Sequence, residues 1–269
     1  YMKSKIIDCI TFFNENYIFD LRYNIIKNDV DFLVVCESLY DHKGNKKELN
    51  FNFNKYSNNE KLKYFVLEEP FPKNNNPWAN QAIQREFLLN NLTFVENEDY
   101  IFFSDPDEIP NPNLLKNFQL KKKYGIFLQK NFNYKFNLYN KFETPWDGPR
   151  VCKKKNLKSI DYMRQKVWAK NLKYRFYRID KERNIELFFD GGWHFNNIMS
   201  SLDISKKLKT FAHSEYSGAE FSSPDIIDKK IQGKVDLFNR GYRYEKVELD
   251  RSFPKYLLDN KEYYSNFIL

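Results

Sequence analysis

The stretch IFFSDPDEIP at 101–110 runs four residues fit for a buried strand into three carboxylates, Asp105, Asp107 and Glu108, and closes on a proline. Pro106 stands between the two aspartates; its ring fixes one backbone angle and supplies no N–H, so both carboxylates sit on a stiff turn. Carboxylates this close repel and raise each other's pKa unless a cation joins them. Hard divalent ions, Mn²⁺ or Mg²⁺, take such oxygens and complete their shell with substrate phosphates. Asp-x-Asp spacing alone is a weak signal, since Asp29-Val30-Asp31 has it too. That second pair begins an expected strand, whereas Asp105-Pro106-Asp107 follows one, and position is what makes it interesting. The competing reading is a solvated acidic turn capping the next helix, with Pro110 and Pro112 opening it.

The chain has three histidines, and His194 stands in GGWHF directly after an expected strand. A neutral imidazole there suits a third ligand for the same ion, against the ordinary alternative of a hydrogen-bonded structural histidine. Trp146, in the Pro- and Gly-containing stretch FETPWDGPR, and Trp193 offer flat rings that stack on a sugar or base; core packing is the other use of any tryptophan. Arg85 and Arg150 could neutralise a diphosphate, or simply form ion pairs. No Gly-rich phosphate loop and no Gly-x-Ser-x-Gly motif occurs, which removes support for hydride transfer and nucleophilic hydrolysis.

The elements that must hold these residues read as alternating strands and helices. Near-continuous apolar runs at 5–13, 31–38, 61–69 and 99–105 are separated by helical periodicity at 14–28 and 80–92. This predicts an α/β fold with a mostly parallel central sheet covered by helices on both faces. Ligands collect beyond the carboxyl ends of such strands, where Glu37, Glu68 with Glu69, and Asp105 with Asp107 fall. Aromatic segments at 124–140 and 172–179 predict an antiparallel extension around a loop at 142–150. A strand at 187–195 and helices at 201–213 and 224–238 follow.

Composition bounds the rest. The chain has 269 residues, 18% aromatic, with 8 glycines and a formal charge of +8. Lysines are spread along it apart from runs at 121–123 and 153–155, so a nucleic-acid groove is not expected. Cys9, Cys36 and Cys152 are too few and scattered for a disulfide framework, and read as buried thiols of a reducing compartment. No run of 18 apolar residues occurs and the N-terminus lacks a signal-peptide core, so a protein without a transmembrane segment is expected. One domain spanning 2–269 is anticipated: a donor-binding half at about 2–110, an acceptor-side half at about 111–250, and a segment at about 251–269 that returns to the body.

Taken together, these features resemble a GT-A glycosyltransferase, and the details resemble glycosyltransferase family 17. VDFLVVCESLYDHKGNKKEL is similar to the segment where a family strand leads into a T-H-x-G-x-x-K loop. FFSDPDEIP matches the D-x-D-E-I-P turn, GGWHF the G-W-H motif, FAHSEY the H-x-E element and FPKYLLDN the C-terminal P-K-Y-L-L signature. The matches keep one order over nearly the whole chain. Asp41 stands where the family often has threonine, and no cysteine follows His194 as it does in animal members; the short bacterial or viral members are nearer. The family includes β-1,4-mannosyl-glycoprotein 4-β-N-acetylglucosaminyltransferase.

The resemblance implies a UDP-sugar donor, UDP-GlcNAc by preference, a glycan acceptor that can be lipid-linked, and an inverting transfer aided by Mn²⁺ or Mg²⁺. It implies Asp107 and His194 as metal ligands, with Asp105 reaching metal or ribose. Inversion requires a base on the face opposite UDP. Glu215 in HSEY is the first candidate, Glu108 the second and Asp147 the third. Glu37 and Arg85 would hold the donor. A cytoplasmic enzyme able to visit the inner membrane face is the corresponding location. A sugar-nucleotide or glycan-binding module without turnover, and a metal-dependent phosphodiesterase, remain the alternatives.

Overall fold

A computed structural model of the chain describes residues 3–175, 177–210 and 218–269. Its first half alternates as the apolar runs require: β1 (Ile6–Phe12), α1 (Asn16–Ile26), β2 (Phe32–Ser38), β3 (Leu62–Leu67), α2 (Pro77–Asn91) and β4 (Tyr100–Ser104). Then come β5 (Glu108–Pro110), α3 (Pro112–Leu115), β6 (Tyr124–Asn133), β7 (Leu138–Tyr139), β8 (Trp146–Lys153) and α4 (Ile160–Lys166). The chain continues through β9 (Ile185–Phe188), β10 (Gly192–Asn196), α5 (Ser201–Thr210), α6 (Ala219–Ser222), α7 (Pro224–Gln232), β11 (Glu245–Lys246) and α8 (Lys255–Asp259).

The main path of the sheet is β11-β7-β6-β8-β4-β1-β2-β3. The β3-β2-β1-β4 half is parallel, whereas β8 runs antiparallel to β4 and to β6. The fold is therefore α/β as expected, but its sheet is mixed rather than mostly parallel. Two elements account for the difference. The stretch 142–150, expected as a loop, enters β8 at Trp146, and the described residues of 172–179, expected as a strand, fall in the end of one 3₁₀ turn (Ala169–Lys173) and in further turns. The position beside β6 is taken instead by β9, parallel to it.

Strand periodicity divides the interior into two layers. Ile6, Ile10 and Phe12 of β1, Leu33 and Val35 of β2, and Tyr100 and Phe102 of β4 pack on the α1 side. Ile7 and Cys9, Val34 and Cys36, and Ile101 and Phe103 pack on the other side against Leu88 of α2 and Ile160 and Met163 of α4. Successive side chains on a strand point to opposite faces, so strands apolar on both faces must be covered on both. The three cysteines are buried free thiols. Among the described residues no helix is long and apolar enough to cross a membrane.

Candidate active site

The carboxyl ends of β1, β2 and β4 open into one cleft of about 550 Å³, whose lining includes Phe13, Glu15, Asp41, His42, Asp105 and Asp107. Parallel β1 and β4 deliver the Asp105–Asp107 turn to this edge, and Arg22 holds it there. Arg22, fully buried on α1, is paired with Asp8 at 2.5 Å and donates to the backbone carbonyls of Asp105 and Glu108 at 3.3 and 2.8 Å. A guanidinium has donors enough to serve one carboxylate and several carbonyls at once. The conformation of the acidic turn is thus tied to the α1 layer.

β10 brings the histidine. It pairs antiparallel with β5, placing His194 opposite Glu108, and parallel with β6. Two glycines permit this approach. A Cβ on Gly192 would lie 2.1 Å from the Ile109 carbonyl oxygen and the residue has φ +121°, while a Cβ on Gly191 would meet the Leu128 amide nitrogen at 2.6 Å. His194 Nε2 consequently stands 3.6 Å from Asp107 Oδ1. Its ring stacks on Trp146, centroids 4.6 Å apart, and its buried Nδ1 has no hydrogen-bond partner among the described residues.

Cations surround the turn. Arg164 of α4 donates to Asp105 at 2.7 Å and, with two nitrogens, to Glu108 at 2.7 and 3.0 Å. Lys207 of α5 has its ammonium 3.8 Å from Asp107 Oδ2. Burial acts to raise the Asp105 pKa, but Arg164, then Arg85, His194 and Lys207 more than offset it and hold it at about 2. Burial likewise opposes the Arg164 charge, and Asp105 and Glu108 outweigh it, so the guanidinium is held above its ordinary value. Glu15 shows the reverse balance: burial pushes its carboxyl up against the pull of Lys207 and the amides of Asn14 and Phe13.

The residues singled out from the sequence separate into two groups. Asp105, Asp107, His194, Trp146 and Arg85 line the cleft. Arg85 is buried, bonded to Asp161 at 2.7 Å, and its Nε has no partner among the described residues. The others sit elsewhere. Glu37 is wholly buried and accepts from Lys47, Tyr64 and the amides of Asn50 and Phe51, which makes it a clamp for the segment after β2. Arg150 is buried under Trp168 and donates to the carbonyls of Asp147, Gly148 and Val167. Asp147 accepts from the Ala169 amide. Trp193 points away from the cleft and donates to the Ser252 carbonyl. Glu108 is fully buried, both oxygens occupied by Arg164, Trp146 Nε1 and the Asp105 amide. Glu215 lies outside the described residues.

Sequence reading missed Arg164, Lys207 and Glu15. None belongs to a spaced motif; they reach the site only because α4, α5 and the start of α1 pack around the strand ends. His42, which bonds Gln84 through Nε2 at 3.0 Å, did carry a signal in DHKG.

The model of glycosyltransferase family 17 matches residues 1–269, and the chain belongs to that family. No curated protein matches it. Among solved structures it is similar to glucosyl-3-phosphoglycerate synthase of M. tuberculosis, with 11% identity over 95% of this chain and 92% of that one, TM-score 0.41. The same enzyme in complex with Mn²⁺, UDP and glucosyl-3-phosphoglycerate gives 12% identity, 95% and 92% coverage, and TM-score 0.40. A 4-diphosphocytidyl-2C-methyl-D-erythritol synthase gives 13% identity over 57% of this chain and 77% of that one, TM-score 0.36.

Proposed function

From membership of glycosyltransferase family 17 we propose that this protein moves GlcNAc from UDP-GlcNAc to a glycan hydroxyl with inversion, aided by Mn²⁺ or Mg²⁺. The observation that carries the reading is the convergence of Asp107 and His194, 3.6 Å apart, with two buried arginines at one cleft. Metal–oxygen and metal–imidazole bonds of about 2.1 Å allow two ligands of one ion to stand up to about 4.2 Å apart, so the pair fits a divalent ion. Among the described residues no group of three or more His, Cys, Asp and Glu surrounds a common centre. Water and diphosphate oxygens would fill the remaining positions, and Asp105, held by Arg164, would face the ribose. The bound ion would offset the charge that grows on departing UDP.

The chain's own groups divide the remaining work. Arg164 and Arg85 supply fixed positive charge beside Asp105, which favours a diphosphate and stabilises it further as the glycosidic bond breaks. Arg22 and Glu108 position the turn rather than touch the sugar. Trp146 holds the His194 ring by stacking and is itself anchored on Glu108. Glu215 is our acceptor base, because the bonds that occupy Glu108 and Asp147 suit positioning and not proton transfer.

The test is a thermal melt of the full chain with UDP, GDP, CMP and UDP-GlcNAc, each with Mn²⁺ or chelator, repeated on Asp107→Ala. A nucleotide at a hundred times its Kd should add about 2.7 kcal/mol by linkage. UDP and UDP-GlcNAc should stabilise only with the ion, and the variant should lose the effect. Equal stabilisation by GDP or CMP overturns the donor assignment, and stabilisation unchanged by chelator overturns the metal. Wild-type rates of sugar transfer in Glu215→Gln would remove the base.

A further inference from the structure

The lysine runs at 121–123 and 153–155 have no part in the cleft, yet the sheet brings them together. β8 pairs Lys153 with Tyr100 at the start of β4 and Cys152 with Tyr124 at the start of β6. Both runs therefore lie at the sheet edge opposite the catalytic turn. Lys121, Lys122, Lys123, Lys153 and Lys155 line a single open cavity of about 380 Å³ there, while Lys154 turns inward to the Leu92 and Val95 carbonyls. Glu98 pairs with Lys153 and Lys155, Glu182 approaches Lys123 at 3.9 Å and Glu186 accepts from the Lys121 amide, so the lining lysines outnumber the carboxylates and the edge is basic.

A second feature adjoins it. The described residues after Lys173 lie in turns, with the Arg178 amide bonded to the Arg175 carbonyl, Ile179 to Tyr177 and Lys181 to Arg178. These turns hold hydrophobic side chains outward: Ile179 is 95% exposed and Tyr177 57%. Exposed Lys173 and Arg175 flank them. The segment is joined to the lysine edge through Asn184, which accepts from the Lys123 amide with its side chain and from the Tyr124 amide with its carbonyl. Ile179 is three residues from Glu182, at most about 11 Å of chain.

We propose that this edge docks the protein on an anionic lipid bilayer, its lysines against headgroup phosphates and Ile179 with Tyr177 in the interface. Basic side chains beside a protruding aliphatic and a tyrosine are the combination that such an interface selects. A nucleic acid would gain from stacked aromatic faces but nothing from an exposed isoleucine. Docked this way, the cleft at the far end of β4 stays open to its substrates. The proposal is independent of the donor and acceptor assignments, and its readout involves no sugar transfer.

The full chain would be sedimented with vesicles of phosphatidylcholine alone and of phosphatidylcholine with equimolar phosphatidylglycerol, at low and high salt. We expect binding to the anionic vesicles only, falling with salt, and weakened about tenfold or more by Ile179→Asp, which removes buried apolar surface from the interface. Lys121→Glu with Lys122→Glu should weaken it comparably, and Lys229→Glu on α7 should leave it unchanged. These are surface positions, so melting temperatures should match wild type; should one variant melt lower, the other still decides. Absence of binding to anionic vesicles overturns the proposal. So does binding that Ile179→Asp leaves intact, with a single-stranded oligonucleotide displacing both proteins equally, because that describes a general polyanion patch.

Discussion

Arg164 joins two carboxylates of opposite exposure: Glu108 is wholly buried, whereas the Asp105 side chain is 41% exposed, on the cleft side. Removing one partner of a buried pair leaves the other charged and dry, which costs about 3–5 kcal/mol. Arg164→Met should lose that much in a urea melt, and Arg164→Lys should recover part of it, since lysine keeps the charge but not the two-pronged bond. A wild-type midpoint for Arg164→Met would mean that Glu108 is not held as a buried ion. His42 supports a prediction about pH. Burial pushes its pKa down, with Gln84 pulling the other way. Between that depressed value and about 6.5, the unfolded chain binds the proton and the folded one does not. Stability is therefore full above about pH 6.5 and declines as pH falls below it, by at most about 1.4 kcal/mol per pH unit. Melting curves from about pH 5 to 8 should show a shallower decline in His42→Gln than in wild type. At this scale the sequence exposed the acidic turn, which follows the end of β4, and it singled out His194, although that histidine lies inside β10 and not after a strand. It concealed Arg164 and Lys207, whose neighbours in sequence say nothing about where their helices dock.

Elements explain both the success and the errors. The GG of GGWHF was legible as a softened strand end, and the structure shows why no side chain fits: Gly192 abuts the Ile109 carbonyl, and Gly191 the backbone of β6. Gly192→Ala should cost about 2–4 kcal/mol through positive φ and overlap with backbone that cannot yield. It should also separate His194 from Asp107, so any metal-dependent rise in melting temperature should shrink more than stability alone accounts for. An alanine variant with wild-type stability and metal response would contradict the close β5–β10 pairing. β8 was misread because WDGPR carries proline and glycine, ordinarily loop residues. Its ladder with β6 is irregular between Ile126 and Leu128, the step opposite Gly148 and Pro149, and such an irregularity accommodates a proline that a regular ladder would reject. The alternating aromatic and basic residues of 172–179 mimic a strand. Among the described residues no strand forms there, and β9 occupies the place beside β6, a competition that local pattern cannot reveal.

For the whole molecule, the parallel half was readable because strands buried on both faces leave continuous apolar runs. The mixed half was not, because its order depends on which distant segment closes against β4. The C-terminal segment adds a long-range restraint of the same kind. The Phe136 amide bonds the Phe267 carbonyl, Asn137 bonds Val247 and Leu269, and Tyr17 of α1 packs against Tyr263, Tyr264 and Phe267. Tyr264 is the centre of this contact: it is fully buried, meets Phe136 edge-on, and its hydroxyl has no partner among the described residues. Ring and hydroxyl should thus act in opposite directions. Tyr264→Ala empties a packed site between the end of the chain and the α1 layer and should cost about 3–5 kcal/mol. Tyr264→Phe keeps the ring and removes a buried oxygen that makes no bond, so it should be neutral or raise stability by about 1 kcal/mol. Denaturant melts of the two variants decide the matter. A Phe variant as damaged as the Ala variant would show that the hydroxyl, and not the aromatic packing, ties the C-terminal segment to the body.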